Sequence, residues 1–369
     1  MGQRQRRVLI LSTTPAVSLA LARTAALAGM KAFVIGDERF SSHRWCRHAR
    51  HALTLSRDDL TEPRNGSLER IDAVIARLRV DAVVPADTLC TRMLARLNDR
   101  WKPRAAVFPL PSSPLFDRLN HKGSFAQLLA EHSLPHPHCV QIAGVAELDR
   151  WDGGFPAIVK PAWGEAGFGV ERVDDRNALE QSVRTLAEQG QLPAVVQTFI
   201  PGWDIDLSLL ANRGNVVAWT IQRRGPPGQG IIHFTAEPRV LEIGRKICEA
   251  TGYHGVAHVD MRVDERTGQV LIVEFNPRFW GSLLYSTWIG VNFLERGLML
   301  AKKDTVKDDF VPVTGTCPYL AFTPTALLRW VGRGAAPPAG LTTAQVRAWK
   351  FQMLDPGPEL VTVLAKRWL

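Results

Sequence analysis

The stretch LIVEFNPRFWGS, residues 271–282, decides how this chain is read. Taken as an extended segment it places Glu274, Asn276 and Arg278 on one face, because successive side chains of a strand point to opposite sides. A carboxylate, an amide and a guanidinium then share a surface where a core strand would bury apolar groups. Pro277 holds the backbone after Asn276 extended or turning, and Arg278 brings a fixed positive charge to the same side.

The partner strand lies just upstream. VAHVDMRVDERTGQVLIVEFN (256–276) reads as a hairpin turning at Asp264–Gly268. With DERTG as a five-residue loop, Val263 faces Gln269, and Asp260 falls on the face of Glu274 and Asn276. Three hard oxygen donors then converge from neighbouring strands. That set suits Mg²⁺, which takes one or two carboxylates and keeps positions for water and phosphate. A loop of even length would break this register and leave a surface hairpin with solvated charges.

Two further stretches carry chemistry. In FPAIVKPAWGEAGFGVERV (155–173), Lys160 ends an apolar strand, and Gly164, Gly167 and Gly169 follow before the next strand. Glycines let backbone N–H groups approach phosphate oxygens, and a lysine at the strand end adds a point charge. The lysine precedes the glycines, so this is not the Walker sequence, and by itself a glycine-rich hairpin turn is structural more often than it is a phosphate loop. In AVVQTFIPGWDID (194–206) an apolar strand exits through Gln197, Thr198, Phe199 and Ile200 to Pro-Gly and Asp204. Such an exit can offer backbone groups to an adenine edge and a carboxylate to ribose hydroxyls; in isolation it is a strand and a turn.

Upstream, the first 110 residues alternate apolar runs with helical patterns: RVLIL, a helix over about 15–28, KAFVIG, SLERIDAVIARLR, VDAVVPA, LCTRMLARLND, AAVFPL. That alternation predicts an open parallel sheet covered by helices. The turn after the first strand is STTPAVS, without the glycines a dinucleotide site requires, which disfavours NAD. FPLPSSPLFDRLN marks a boundary by its prolines, with a helix expected over Leu115–His132. The expected division is 1–114, an α/β domain; 115–309, with a lid over about 135–198; and 310–369, a Pro/Gly-rich extension packing on the core.

Composition narrows the classes. The chain has 369 residues, 46% hydrophobic, which is enough for more than one core. Its net charge of +9 suits an anionic ligand, but the arginines are scattered and no nucleic-acid module accompanies them. Five dispersed cysteines, none in a CxxC pair, indicate neither zinc nor a disulfide framework and fit a reducing cytoplasm. The opening MGQRQRRVLILSTTPAVSLALARTA imitates a secretory signal, yet reading it as strand and helix completes a βαβ unit. The uncharged run 311–328 is interrupted by Pro312, Pro318 and Pro324, so a loop-rich segment is expected there and no membrane span.

The order of these features resembles the ATP-grasp superfamily, and within it the carbamoyl-phosphate-synthase-like and D-alanine–D-alanine-ligase-like carboxylate–amine ligases. VEFNPRFWGS is the most specific match. The resemblance implies an N-terminal α/β domain followed by a two-part module with antiparallel sheets. It implies ATP with two Mg²⁺, or Mn²⁺ in their place, held by Asp260, Glu274 and Asn276. Lys160 and the earlier Lys122, in LNHKGSFAQLL, would touch the phosphates beneath the loop of Gly164, Gly167 and Gly169. Gln197, Thr198, Phe199 and Ile200 would be the adenine hinge and Asp204 the ribose ligand. Arg278 would serve catalysis, and Arg223 or Arg224, before GPPGQG, would hold the acyl phosphate or the acid. Relatives often carry an acidic hinge residue where this chain has Gln197 and Thr198, and glutamate where it has Asp260.

The expected function is an ATP- and Mg-dependent ligase joining a small carboxylic acid to an amine or amino acid through an acyl phosphate, in the cytoplasm, with homodimerisation left open and neither nucleic acid nor membrane as partner. The rivals are a nucleotide-binding scaffold without turnover and a carboxylase-like enzyme using bicarbonate.

Overall fold

The computed structural model describes residues 4–165, 167–225, 231–302, 314–318, 346, 351 and 354–358. Three sheets organise it. The first is parallel, with strands β1 (Arg7–Leu11), β2 (Lys31–Gly36), β3 (Ala49–Thr54), β4 (Ala82–Pro85) and β5 (Ala106–Val107) in the order β3-β2-β1-β4-β5. RVLIL is its middle strand and is covered on both sides. Leu9 and Leu11 join one core with Phe33 and Ile35; Val8 and Ile10 join another with Ala32 and Val34. Burial on both faces explains the unbroken apolar runs of these strands. The signal-like opening is thus central sheet and its buried helix, Pro15–Leu27.

The helix expected over 115–132 is two, Ser113–Asn120 and Lys122–Glu131. His121 breaks the run: its backbone is extended (φ −86°, ψ 113°) and its ring accepts the Ser124 N–H at 3.1 Å, capping the second helix. The break matters for the site, because it puts Lys122 at the start of a helix, with its N–H donating to Ala162 O at 3.0 Å.

The second sheet contains β6 (Cys139–Ile142), β7 (Ala157–Pro161), β8 (Glu171–Val173) and β9 (Ala194–Thr198) in the order β6-β9-β7-β8. Helix Arg176–Glu188 lays Leu179, Val183 and Leu186 on Val159, Val173 and Val196.

The third sheet, antiparallel, contains β10 (Gly202–Asn212), β11 (Asn215–Arg224), β12 (Ile231–Thr235), β13 (Gly255–Asp264), β14 (Val270–Asn276) and β15 (Gly315–Pro318) in the order β14-β13-β10-β11-β12-β15. One face is apolar: Ile205, Leu207, Leu209, Ile221, Val259 and Met261 pack with Val240 and Ile247 of helix Pro238–Thr251. The other carries Asp206, Ser208, Gln222, His258 and Asp260. Of the expected 310–369 extension, Gly315–Pro318 pairs with β12 and Asp355 forms a buried ion pair with Arg23 at 3.1 Å; most of the rest, including most of the run 311–328, lies outside the described residues. Among the described residues no helix is long and apolar enough to cross a membrane.

Candidate active site

The β13–β14 hairpin brings Asp260, Glu274 and Asn276 to one face by a route that the sequence reading got wrong. Val263 pairs with Val270, not Gln269, so the loop holds six residues and the register is the even one. Continued unchanged, it would set Asp260 opposite Val273 and turn Glu274 away. A bulge intervenes. Met261 pairs with Ile272, but Asp260 pairs with Glu274, leaving Val273 as the extra residue. The second slip undoes the first, and Phe275 points into the apolar core while Glu274 and Asn276 face the polar side.

These groups are mutually engaged. Asn276 Nδ2 donates to Asp260 Oδ2 at 3.0 Å, and Arg278 Nη2 donates to Asn276 Oδ1 at 3.1 Å. Arg278 also donates to Thr88 Oγ1 at 3.0 Å and to Phe279 O at 2.9 Å, tying the hairpin to the first helix turn beyond β4. Two carboxylates and an amide on one face fit a hard divalent ion; the amide turns its nitrogen to Asp260 and its oxygen to Arg278, so binding at Asn276 Oδ1 would replace the bond from Arg278.

Cations face this set from the start of helix Lys122–Glu131 and from β7. Lys122 Nζ lies 3.4 Å from Glu274 Oε1 and donates to Gly164 O at 2.7 Å. Lys160, 3% exposed, donates to Gln197 Oε1 at 3.1 Å, and burial lowers its pKa below the ordinary lysine range against the opposing pull of Glu274. Lys122, Lys160, Gln197, Phe125, Cys139 and Val273 line one cleft between the second and third sheets. The glycine turn that follows β7 is joined to this cleft through Lys122, and in it Gly164, Gly167 and Gly169 take φ of 140°, 73° and 69°, a region closed to most side chains. The exposed Trp163 packs on His121 with ring centroids 4.7 Å apart, and Glu165 reaches Arg278.

At the strand exit, the N–H groups of Thr198 and Phe199 already donate to His138 O (3.0 Å) and Pro156 O (3.2 Å). An adenine edge would therefore meet the carbonyls and the end of the exit at Ile200, a narrower hinge than expected. Asp204 pairs with Arg262, which also donates to Ile200 O (3.0 Å) and Gly202 O (2.8 Å). One Asp204 oxygen is thus committed to bracing the exit.

The arginine pair separates by strand alternation. Asp206 pairs with Gln222, so Arg224 shares the polar face, whereas Arg223 lies on the opposite one, 5.1 Å from the Trp203 ring centroid. The expectation that Arg223 serves catalysis is corrected on that ground.

The structure adds two residues absent from the expected set. Asp206 is directly opposite Asp260 on β10, and His258 stands two residues before Asp260 on β13. His258 Nε2 lies 3.3 Å from Asp260 Oδ1 and 3.8 Å from Asp206 Oδ2. Burial pushes the Asp206 carboxyl up to about 6. His258 is raised: burial opposes its charge, but the Asp260 hydrogen bond and both carboxylates outweigh it. The alternation in DID (204–206) and HVD (258–260) was the signal for both, since residues two apart share a face.

The chain is similar to known proteins in sequence and in fold. Residues 173–321 match a family model described as ATP-grasp in the biosynthetic pathway with Ter operon. The chain is similar to acetyl-CoA carboxylase 2 of Oryza sativa subsp. japonica, 30% identical over 156 residues, which is 37% of this chain and 6% of that protein. It is also similar to the D-alanine–D-alanine ligase of Kocuria rhizophila, 36% identical over 89 residues, 24% of this chain and 21% of the ligase. The matched segments thus span only a minor part of these relatives. Among solved structures, biotin carboxylase from Campylobacter jejuni shares the fold with a TM-score of 0.67 at 17% identity, covering 84% of this chain and 74% of that one. The segment that carries Gln197, Asp204, Asp260, Glu274, Asn276 and Arg278 thus matches an ATP-grasp family model, and the chain shares the fold of ATP-grasp proteins.

Proposed function

We propose that the chain is an ATP- and Mg²⁺-dependent ligase that joins a small carboxylic acid to an amine through an acyl phosphate, releasing ADP and phosphate. The observation that carries this reading is the gathering of cations on the hairpin ligands: Lys122 lies 3.4 Å from Glu274, and Arg278 donates to Asn276 at 3.1 Å. A triphosphate and a carboxylate repel each other, and bringing them together requires fixed positive charge on both. Lys122 and Lys160 would hold phosphate oxygens; Arg278, with Arg224 on the same face, would orient the acid. Mg²⁺ at Asp260, Glu274 and Asn276 would supply further neutralisation of the phosphates. The glycine turn would close over the reactants and exclude water, which destroys an acyl phosphate. The superfamily setting and the likeness to a D-alanine–D-alanine ligase support amide formation.

The likeness to acetyl-CoA carboxylase 2 and to biotin carboxylase favours a second reading, in which bicarbonate is the acid. One experiment addresses both. ADP release is measured over a panel of amino acids and small carboxylic acids, with a bicarbonate arm. ADP release that needs an organic acid and an amine supports the ligase; stimulation by bicarbonate alone supports the carboxylase; no stimulation by any pair, with ATP still bound, would identify a non-catalytic scaffold.

A further inference from the structure

We propose that Asp206, His258 and Asp260 form a cation site in their own right, suited to a divalent transition ion of the Mn²⁺, Co²⁺ or Zn²⁺ type. The site shares Asp260 with the Asp260–Glu274–Asn276 set but otherwise uses different donors. One ligand atom from each of the three residues lies within 4.8 Å of the others. The separations from His258 Nε2, 3.3 Å to Asp260 and 3.8 Å to Asp206, approach the spacing of about 3–3.5 Å between donors that each sit about 2.1 Å from one ion. Cross-strand pairing fixes the backbones of the set: Asp206 is opposite Asp260 and Ser208 opposite His258.

Each ligand is held by a neutral outer partner. Ser208, fully buried, hydrogen-bonds His258 Nδ1 at 2.9 Å, so Nε2 is the nitrogen turned to the carboxylates. Gln222 Nε2 donates to Asp206 Oδ2 at 3.3 Å, and its own Oε1 accepts from Ser282 at 3.0 Å. Asn276 holds Asp260 Oδ2, leaving Oδ1 toward the imidazole. The ring of Trp280, 2% exposed, stacks on His258 with centroids 5.6 Å apart and interplanar angle 15°, which fixes the plane of the imidazole. Outer partners of this kind orient metal ligands and raise their affinity by about 10–100-fold.

Two carboxylates meet one imidazole; the Arg278 guanidinium acts on Asp260 through space, and among the described contacts no lysine or arginine forms a direct ion pair with Asp206 or Asp260. The nitrogen donor decides the class of ion: imidazole favours Mn²⁺ through Zn²⁺ over Mg²⁺, whereas the oxygen-only set beside it suits Mg²⁺. With three protein donors the ion would keep open positions toward the polar face of the sheet.

The test uses the full chain without nucleotide, in excess Mg²⁺. Co²⁺ titration followed by its visible absorption is expected to give about one ion per chain. His258→Gln and Asp206→Asn should each weaken it tenfold or more, whereas Glu274→Gln should change it less than about twofold. Pulsed electron paramagnetic resonance of bound Mn²⁺ in the wild-type chain should show coupling to an imidazole nitrogen, a reading that survives if a variant fails to fold. Absence of nitrogen coupling, or a Co²⁺ signal that depends on Glu274 and not on His258, overturns the site. The ligase reading would stand in either case, since it needs neither Asp206 nor His258.

Discussion

Glu165 of the glycine turn lies 3.1 Å from Arg278, so a carboxylate of the lid rests on the guanidinium that the proposed chemistry needs for an anion. The same turn is held from below by Lys122 through Gly164 O. The turn is thus joined to two groups that the proposed substrates would engage, and on that reading binding must exchange one anion for another.

Glu165→Gln is therefore expected to loosen the turn and to tighten binding of a non-hydrolysable ATP analogue. Glu165 is 37% exposed at its side chain and Arg278 13%, so the gain is that of a partly exposed ion pair, up to about fivefold. Calorimetry reads the affinity, and amide exchange around Gly164 and Gly167 reads the latch. Unchanged exchange in the ligand-free variant would show that the pair does not hold the lid.

Glu274→Gln keeps the shape of the side chain and removes the charge that faces Lys122 and the proposed metal. ATP turnover should fall about 10²-fold or more, with the fold intact by circular dichroism. Wild-type turnover in a folded variant would remove Glu274 from the metal set.

Much of this site was legible because alternation is a local property. Glu274, Asn276 and Arg278 share a face whatever the loop does, and Arg224 separates from Arg223 by the same rule once the strand is known. Register is different, since it depends on hydrogen bonds between strands. The even loop at Asp264–Gln269 and the bulge at Val273 each shift the pairing by one, and neither leaves a mark in composition. The bulge is visible only through its effect, Phe275 in the core beside an outward Glu274. His121 hid for another reason: a histidine is a weak capping signal, and the helical pattern continues across it.

Burial of Lys160 gives a prediction with a definite sign. Its pKa is lowered by burial, so between the folded and unfolded values the folded chain binds fewer protons than the unfolded one. Stability then rises with pH across that interval, and the cost of the buried charge is carried in full below it. Lys160→Met should melt at a higher temperature than wild type at neutral pH, and the difference should shrink as pH approaches the ordinary lysine value of about 10.4. ATP turnover should fall about 10²-fold or more in the same variant. A lower melting temperature at neutral pH would mean that the Gln197 and Glu274 contacts of Lys160 outweigh its burial.

The last prediction concerns the intermediate. Cations gathered near Glu274 and Asn276, with the glycine turn above them, favour attack at the terminal phosphorus, because negative charge that develops there is met by groups already in place. The products should be ADP and phosphate, where an adenylating ligase would leave AMP and pyrophosphate. An acyl phosphate forms when a carboxylate oxygen attacks the phosphorus, and the amine then displaces phosphate at the acyl carbon, so that oxygen departs with the phosphate. Once the panel of acids has identified a substrate, its carboxylate is labelled with heavy oxygen and the released phosphate is examined by mass spectrometry. One labelled oxygen per phosphate, together with ADP, is the expected result. Unlabelled phosphate from a reaction that does form amide would exclude the acyl phosphate, and labelled AMP would move the attack to the α-phosphorus, away from the charges this site assembles.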